Sequence, residues 1–278
     1  MTKHTGESSN KKKNLLGKKL KTLEILFNSV YGKRPDESYY PFTNDDVKAA
    51  CSQTKFKNPF DVTKVDSFYD LPTIMQDKGY FMFHLGKGTH AFIRGIGYHQ
   101  FEKIDAKDKV SFSIKPRIVD NLGESEAGTL SFIFNKGIIQ DFLKVNNPDI
   151  NINIARRSRV TFDFKIDNNT LHIAGQQIEI DGIFDTEDGM IATVEAKNKA
   201  NKDFEIRQLF MVQKYFDMLV MRKLITEKIN LHILFLIGLH KQNIYRLYEY
   251  KFTDYNDMNS IKLVKAKEYN VTLAHNKR

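Results

Sequence analysis

Cysteine occurs once in 278 residues, at Cys51, so the chain can build neither a disulfide framework nor a cysteine-based zinc site, and it suits a reducing compartment. No apolar run approaches the roughly 20 residues that a bilayer-spanning helix needs. The longest strongly apolar stretch, Leu231–Leu239, carries His232 and reads as a buried strand. The basic start, with Lys11 to Lys13, leads into no apolar segment, so a frayed arm is expected there and neither a secretory leader nor a membrane anchor. The eight histidines show no HExxH spacing, which argues against a zinc hydrolase. GxxxxGK[ST] and dinucleotide-loop patterns are also missing. Gly86-Lys87-Gly88-Thr89 lies in a hairpin turn, not between a strand and a helix, so no nucleotide cofactor is expected.

What is present points elsewhere. Apolar residues make up 41% and aromatics 12%, enough buried surface to offset the conformational entropy lost on folding and to exclude a disordered tail. Against 34 acids stand 43 Lys and Arg, a net charge of +9 that favours a polyanionic partner. The Lys-, Asn- and Ile-rich composition fits an AT-rich bacterial host, and a cytoplasmic location is expected.

The chain divides by rhythm into an arm over residues 1–15, a small domain over 16–110 and a larger one over 111–278. In the small domain, Leu20, Leu23, Phe27 and Val30 predict an amphipathic helix over Lys18 to Val30. Thr43 and Asp46 form a capping-box pattern that opens a helix over Asn44 to Ser52, with Phe42 and Val47 placed as a hydrophobic staple. A short helix follows Leu71-Pro72 and runs through Gln76. Tyr80–His84 and His90–Arg94 then flank the Gly/Lys turn as a hairpin. Helix, helix, short helix and hairpin is the order of a winged helix-turn-helix, whose third helix reads the major groove. Lys78, Lys87 and His90 would be its exposed contacts; the plain alternative is a small packing module with no ligand.

In the larger domain, Ala127, Leu130, Phe134, Ile138 and Phe142 predict one helix over Ser125 to Leu143. Strands are expected at Val160–Ile166, Leu171–Ala174, Ile178–Asp185 and Met190–Lys197. A long helix capped by Asp203 runs to about Lys223, and strands follow at Leu231–Leu239 and Tyr245–Phe252. The fold class expected is therefore α/β, mixed α+β. Alternation puts Glu179 and Asp181 on one strand face and Glu195 and Lys197 on another, and the Asp188-Gly189 hairpin brings the two faces side by side. Buried charges need a cation or each other. Carboxylates of Asp181 and Glu195 are hard donors suited to magnesium, and Lys197 adds a positive charge, a set able to neutralise a phosphodiester and activate water. An ordinary surface Glu–Lys pair is the bland alternative, but flanking helices and the apolar opposite face favour an embedded site.

Asp–x13–Glu–x–Lys across a hairpin is the PD-(D/E)XK signature in form. With GESEA, QIEIDGIF, VEAKN and DFEIRQLF in matching order, the segment from about Gly123 to Val264 resembles the catalytic domain of restriction-endonuclease-like proteins of that superfamily. One departure is Ile180 where the motif has proline. The resemblance implies a restriction-endonuclease-like core of helix, mixed sheet and helix, behind the winged-helix-like module. It also implies a magnesium-dependent, sequence-specific type II endonuclease acting on double-stranded DNA, with Mn2+ able to substitute. Asp181, Glu195 and the Ala196 carbonyl would hold the metal, and Lys197 would orient or activate water. Glu124 is the further acid expected, preferred over Glu126 because Glu126 points away from the predicted stripe; Glu124 equally suits a helix N-terminus. Gln208, with Arg207, matches the family's RQL element; Gln177 has a similar position beside Glu179. Arg156, Arg157 and Arg159 could neutralise DNA phosphates or, through a bidentate fork, read guanine; Lys199 and Lys202 are expected phosphate contacts, and Arg207 with Gln208 could orient the active-site water or contact the scissile phosphate. Cutting both strands suits a homodimer. A DNA-binding regulator on a non-catalytic nuclease-like scaffold, or a repair or junction nuclease, are the alternatives.

Overall fold

A computed structural model describes residues 4–115, 125–146, 151–166, 169–226 and 228–274, the side chains of 4–14, 151–156 and 273 excepted. In chain order its elements are α1 (His4–Tyr31), β1 (Tyr39–Thr43), α2 (Asn44–Thr54), α3 (Pro59–Val62), α4 (Thr73–Lys78), β2 (Tyr80–Gly86), β3 (Thr89–Arg94) and β4 (Tyr98–Gln100). These are followed by β5 (Lys109–Ile114), α5 (Glu126–Asn135), α6 (Ile138–Leu143), β6 (Asn151–Ile166), β7 (Asn169–Asp185) and β8 (Met190–Lys197). Last come β9 (Asp203–Glu205), α7 (Arg207–Met221), β10 (Asn230–Leu239), β11 (Ile244–Phe252) and β12 (Ile261–Leu273). The architecture is mixed α/β, with a seven-stranded sheet as its largest piece. No described helix is long and apolar enough to cross a membrane. Two compact units interleave along the chain. The first comprises 1–100, 161–176 and 202–206; the second comprises 101–160, 177–201 and 207–278.

The first unit is built on aromatic packing. α1 buries Leu23, Leu26 and Phe27, and Phe27 meets the Phe92 ring edge-on at 5.2 Å. The capping box at α2 forms as the pattern predicts: Asp46 N–H donates to Thr43 Oγ1 at 3.4 Å and Thr43 N–H to Asp46 Oδ2 at 2.7 Å. The hairpin β2–β3 turns on Lys87 and Gly88, both with positive φ, the backbone a tight antiparallel turn requires. β1, unanticipated from sequence, pairs with β3 and completes a sheet of order β1-β3-β2. β4 pairs with β9.

Three expectations fail in this unit. His90 is buried, not exposed: it lies opposite His84 in register, with their Nδ1 atoms 2.8 Å apart, and its Nε2 meets Asn44 Oδ1 at 2.9 Å. Lys78 is drawn back onto α1, where its Nζ donates to Tyr31 Oη at 2.9 Å above the ring. Asp203 caps no long helix. It opens β9 and its carboxylate accepts from Ser67 Oγ at 2.5 Å and from the Phe68 N–H at 3.1 Å, capping the single turn Phe68–Asp70.

The seven-stranded sheet has the order β5-β12-β11-β10-β8-β7-β6, and its strands belong to the second unit except for residues 161–166 of β6 and 169–176 of β7. β8 and β10 are parallel neighbours joined through α7, whereas β7 and β8 form an antiparallel hairpin closed by Thr186 to Gly189. One sheet face packs Ala192, Val194, Leu234, Leu236 and Leu247 against Leu130, Ile133, Ile138 and Phe142 of α5 and α6. The single helix predicted over Ser125 to Leu143 is two helices, because Gly137 adopts φ 75 and breaks the hydrogen-bond ladder there. The two strands predicted at Leu171–Ala174 and Ile178–Asp185 are one, β7, which passes through a kink at Gly175 with φ 62. The arginine cluster, expected just before a strand, lies within β6.

Candidate active site

Alternation along β8 sends Ala192, Val194 and Ala196 into the core shared with α5 and α6, so Glu195 and Lys197 occupy the other sheet face. α7 meets them there, and Gln208 at its start donates from Nε2 to Glu195 Oε1 at 2.7 Å. Lys197 Nζ donates to the same oxygen at 2.7 Å. The paired register of β7 and β8 covers Gly182–Asp185 against Ile191–Val194. Beyond it a side chain replaces the backbone partner: the N–H of Ala196, two residues past Val194, donates to Asp181 Oδ2 at 2.9 Å. The hairpin therefore opens at the point where Asp181, Glu195 and Lys197 converge. A strand residue's N–H and C=O leave on the same edge, so the Ala196 carbonyl faces the edge occupied by Asp181.

Electrostatics follow from burial. Glu195 is pushed up to about 7 by desolvation, with the charges of Asp181 and Glu126 adding to that and the attraction of Lys197 opposing it. Burial by itself would lower Lys197; the Glu195 charge and hydrogen bond, helped by Glu126 and Asp181, hold it above its ordinary value. A carboxylate held this close to neutral beside a second acid has room for more positive charge. Among the described residues no hydrogen bond reaches Asp181 Oδ1 or Glu195 Oε2, and Gln208 Oε1 is buried without a partner. These hard oxygens fit a magnesium ion and its water shell. Among the described residues no three acids, histidines or cysteines cluster as a ligand set, so the fit rests on the two carboxylates and the Ala196 carbonyl.

Glu124 lies outside the described residues. Glu126, set aside on the sequence pattern, approaches Lys197 at 3.7 Å. The pattern misled because the buried stripe of α5 is Thr129, Leu130 and Ile133, not Ala127 and Phe134. Glu126 stands three, four and seven residues before those positions, and that spacing was the available signal. Ser125 caps the helix, accepting from the Gly128 N–H at 3.0 Å. Thr129, Asn198 and His240, which also gather here, carried no motif.

Glu179 is exposed and takes both Nε and Nη2 of Arg157, at 3.1 and 3.0 Å, so it does not join the cluster. Arg159, Gln177 and Lys199 are exposed, Arg207 opens α7, and the Arg156 side chain lies outside the described set. In the first unit, Lys87 stands exposed at the hairpin tip and Lys202 lies 5.2 Å over the Tyr69 ring.

A family model described as domain of unknown function DUF6996 matches residues 21–92. No curated protein and no solved structure matches the chain. A second model, described as domain of unknown function DUF6997, matches residues 94–270, more than half of the chain and the whole of the Asp181–Glu195–Lys197 cluster, and the chain belongs to that family.

Proposed function

We propose that the chain is a magnesium-dependent, sequence-specific endonuclease of restriction type acting on double-stranded DNA. The observation that carries this reading is the convergence of Asp181, Glu195 and Lys197 where the β7–β8 hairpin opens, with Gln208 donating into it. The order α5/α6, β7, β8, α7, β10, with β10 parallel to β8, supports a restriction-endonuclease-like core. The first unit's helices and β1-β3-β2 sheet, with Lys87 at the hairpin tip, support a winged-helix-like recognition module.

Asp181 Oδ1, Glu195 Oε2 and the Ala196 carbonyl would hold the metal. Bound magnesium supplies charge neutralisation at the scissile phosphate and lowers the pKa of water. Lys197 has three N–H donors, one spent on Glu195, leaving its charge to meet a non-bridging phosphate oxygen or orient the attacking water. Gln208 fixes Glu195, and its orphaned Oε1 can accept from a water in the site. In-line displacement would leave a 5′-phosphate. Cutting both strands takes two such centres, which a homodimer would provide, or two sequential events at one.

Incubating plasmid or phage DNA with the protein, in magnesium or in EDTA, tests the proposal on a gel. Discrete, metal-dependent fragments are expected, and retarded but uncut DNA would favour a regulator. Asp181→Ala and Lys197→Ala should each lower cleavage at least 1,000-fold while DNA affinity stays within about threefold, a loss of several kcal/mol of transition-state stabilisation. Undiminished cutting by either variant rejects these roles.

A further inference from the structure

Thr129 is completely buried and its hydroxyl meets three partners: Asn198 Oδ1 at 2.7 Å, His240 Nε2 at 2.6 Å and Ser125 O at 3.1 Å. A hydroxyl has one proton and two lone pairs. Two of the partners are oxygens competing for that proton, so His240 must bring its own, as Nε2–H. An imidazole that carries its proton at Nε2 alone accepts at Nδ1, where Tyr245 Oη stands at 3.4 Å. The bonds therefore run one way, from Tyr245 to His240 to Thr129 to Asn198. Packing leaves Thr129 no slack: a Cβ on Gly238 would fall 2.6 Å from its Cγ2 and 3.1 Å from Asn198 Oδ1.

This relay ties two places that matter. Asn198 directly follows Lys197, and Thr129 closes the first turn of α5, whose first residue, Glu126, faces Lys197 at 3.7 Å. We propose that Thr129 is a positioning residue: held by His240, it docks the first turn of α5 on the end of β8 and so sets the approach of Glu126 to Lys197. The inference rests on the nuclease reading for its consequence and on the hydrogen-bond geometry for its substance. Thr129→Val keeps the shape and removes the hydroxyl; Thr129→Ser keeps the hydroxyl.

The experiment compares magnesium-dependent plasmid cleavage by the full-length wild type and both variants, together with 15N NMR of histidine- and lysine-labelled protein. Expected are a kcat at least tenfold lower in Thr129→Val with KM within twofold, and recovery to within threefold in Thr129→Ser. A valine variant that cuts at the wild-type rate, or a serine variant no better than valine, overturns the proposal. If the wild type cuts no DNA, the nuclease reading falls and the NMR decides the positioning role by itself. An Nε2–H tautomer at His240, with a Lys197 ammonium resonance that moves in Thr129→Val as it does in Glu126→Gln, sustains it. Protonation of His240 on Nδ1 alone, or a Lys197 resonance unmoved in Thr129→Val, overturns it.

Discussion

Glu195 accepts from both Lys197 Nζ and Gln208 Nε2 at a single carboxylate oxygen. Its ordinary value of 4.5 is raised to about 7, so between those pH values the folded protein keeps a proton that the unfolded chain has released. Each step upward in pH through that window therefore favours unfolding, by at most about 1.4 kcal/mol per unit. In EDTA, calorimetric melts from pH 5 to 8 should show a decline that Glu195→Gln flattens and that added magnesium offsets in the wild type. A Glu195→Gln protein declining as steeply as the wild type would show that burial does not hold Glu195 near neutrality. Glu249 behaves in the opposite sense: burial would raise it, but His232 and Lys265 hold it below its ordinary value, and its contribution is lost only on acidification.

At the scale of elements, local chemistry decided where helices and turns begin. Thr43 and Asp46 are neighbours in sequence, so their capping box needs nothing from the rest of the chain, and Thr43→Ala should cost about 1 kcal/mol in a denaturant titration. The close of the β2 strand is less forgiving. Gly86 has φ 99 and an added Cβ would fall 2.3 Å from the Ala174 carbonyl oxygen, so Gly86→Ala should cost roughly 1–3 kcal/mol or more, against little effect at an ordinary strand position. Elements whose signals depend on distant partners were read less well. β1, β5 and β12 went unpredicted because their pairing supplies what their sequences do not advertise, and the break at Gly137 is invisible to periodicity, which continues on both sides of it. The approach of Glu126 to Lys197 was hidden for the same reason: it depends on which stripe of α5 faces the sheet, and that is settled by packing.

For the whole molecule, the surplus of +9 sets how the proposed DNA partner would be held. Arg159 is exposed on β6, while its neighbour Arg157 is forked onto Glu179. Arg159→Ala should weaken DNA binding equally across unrelated sequences and reduce the slope of log affinity against log salt by about 1, as measured by anisotropy between 50 and 200 mM salt. A sequence-dependent loss would instead make Arg159 a base reader.

Read alone, the chain already stated the mixed α/β class, the two hairpins and the trio Asp181, Glu195 and Lys197, because strand alternation and turn chemistry act over a few residues and need no partner to be legible. Tertiary structure decided the rest. The opening of the hairpin at Ala196, the meeting of Glu126 with Lys197, the burial of His90 and the joining of Thr129 to His240 are contacts between residues far apart in sequence. Such contacts depend on how helices dock on the sheet, and the free energy of docking is spread over many apolar side chains, none of which names its partner.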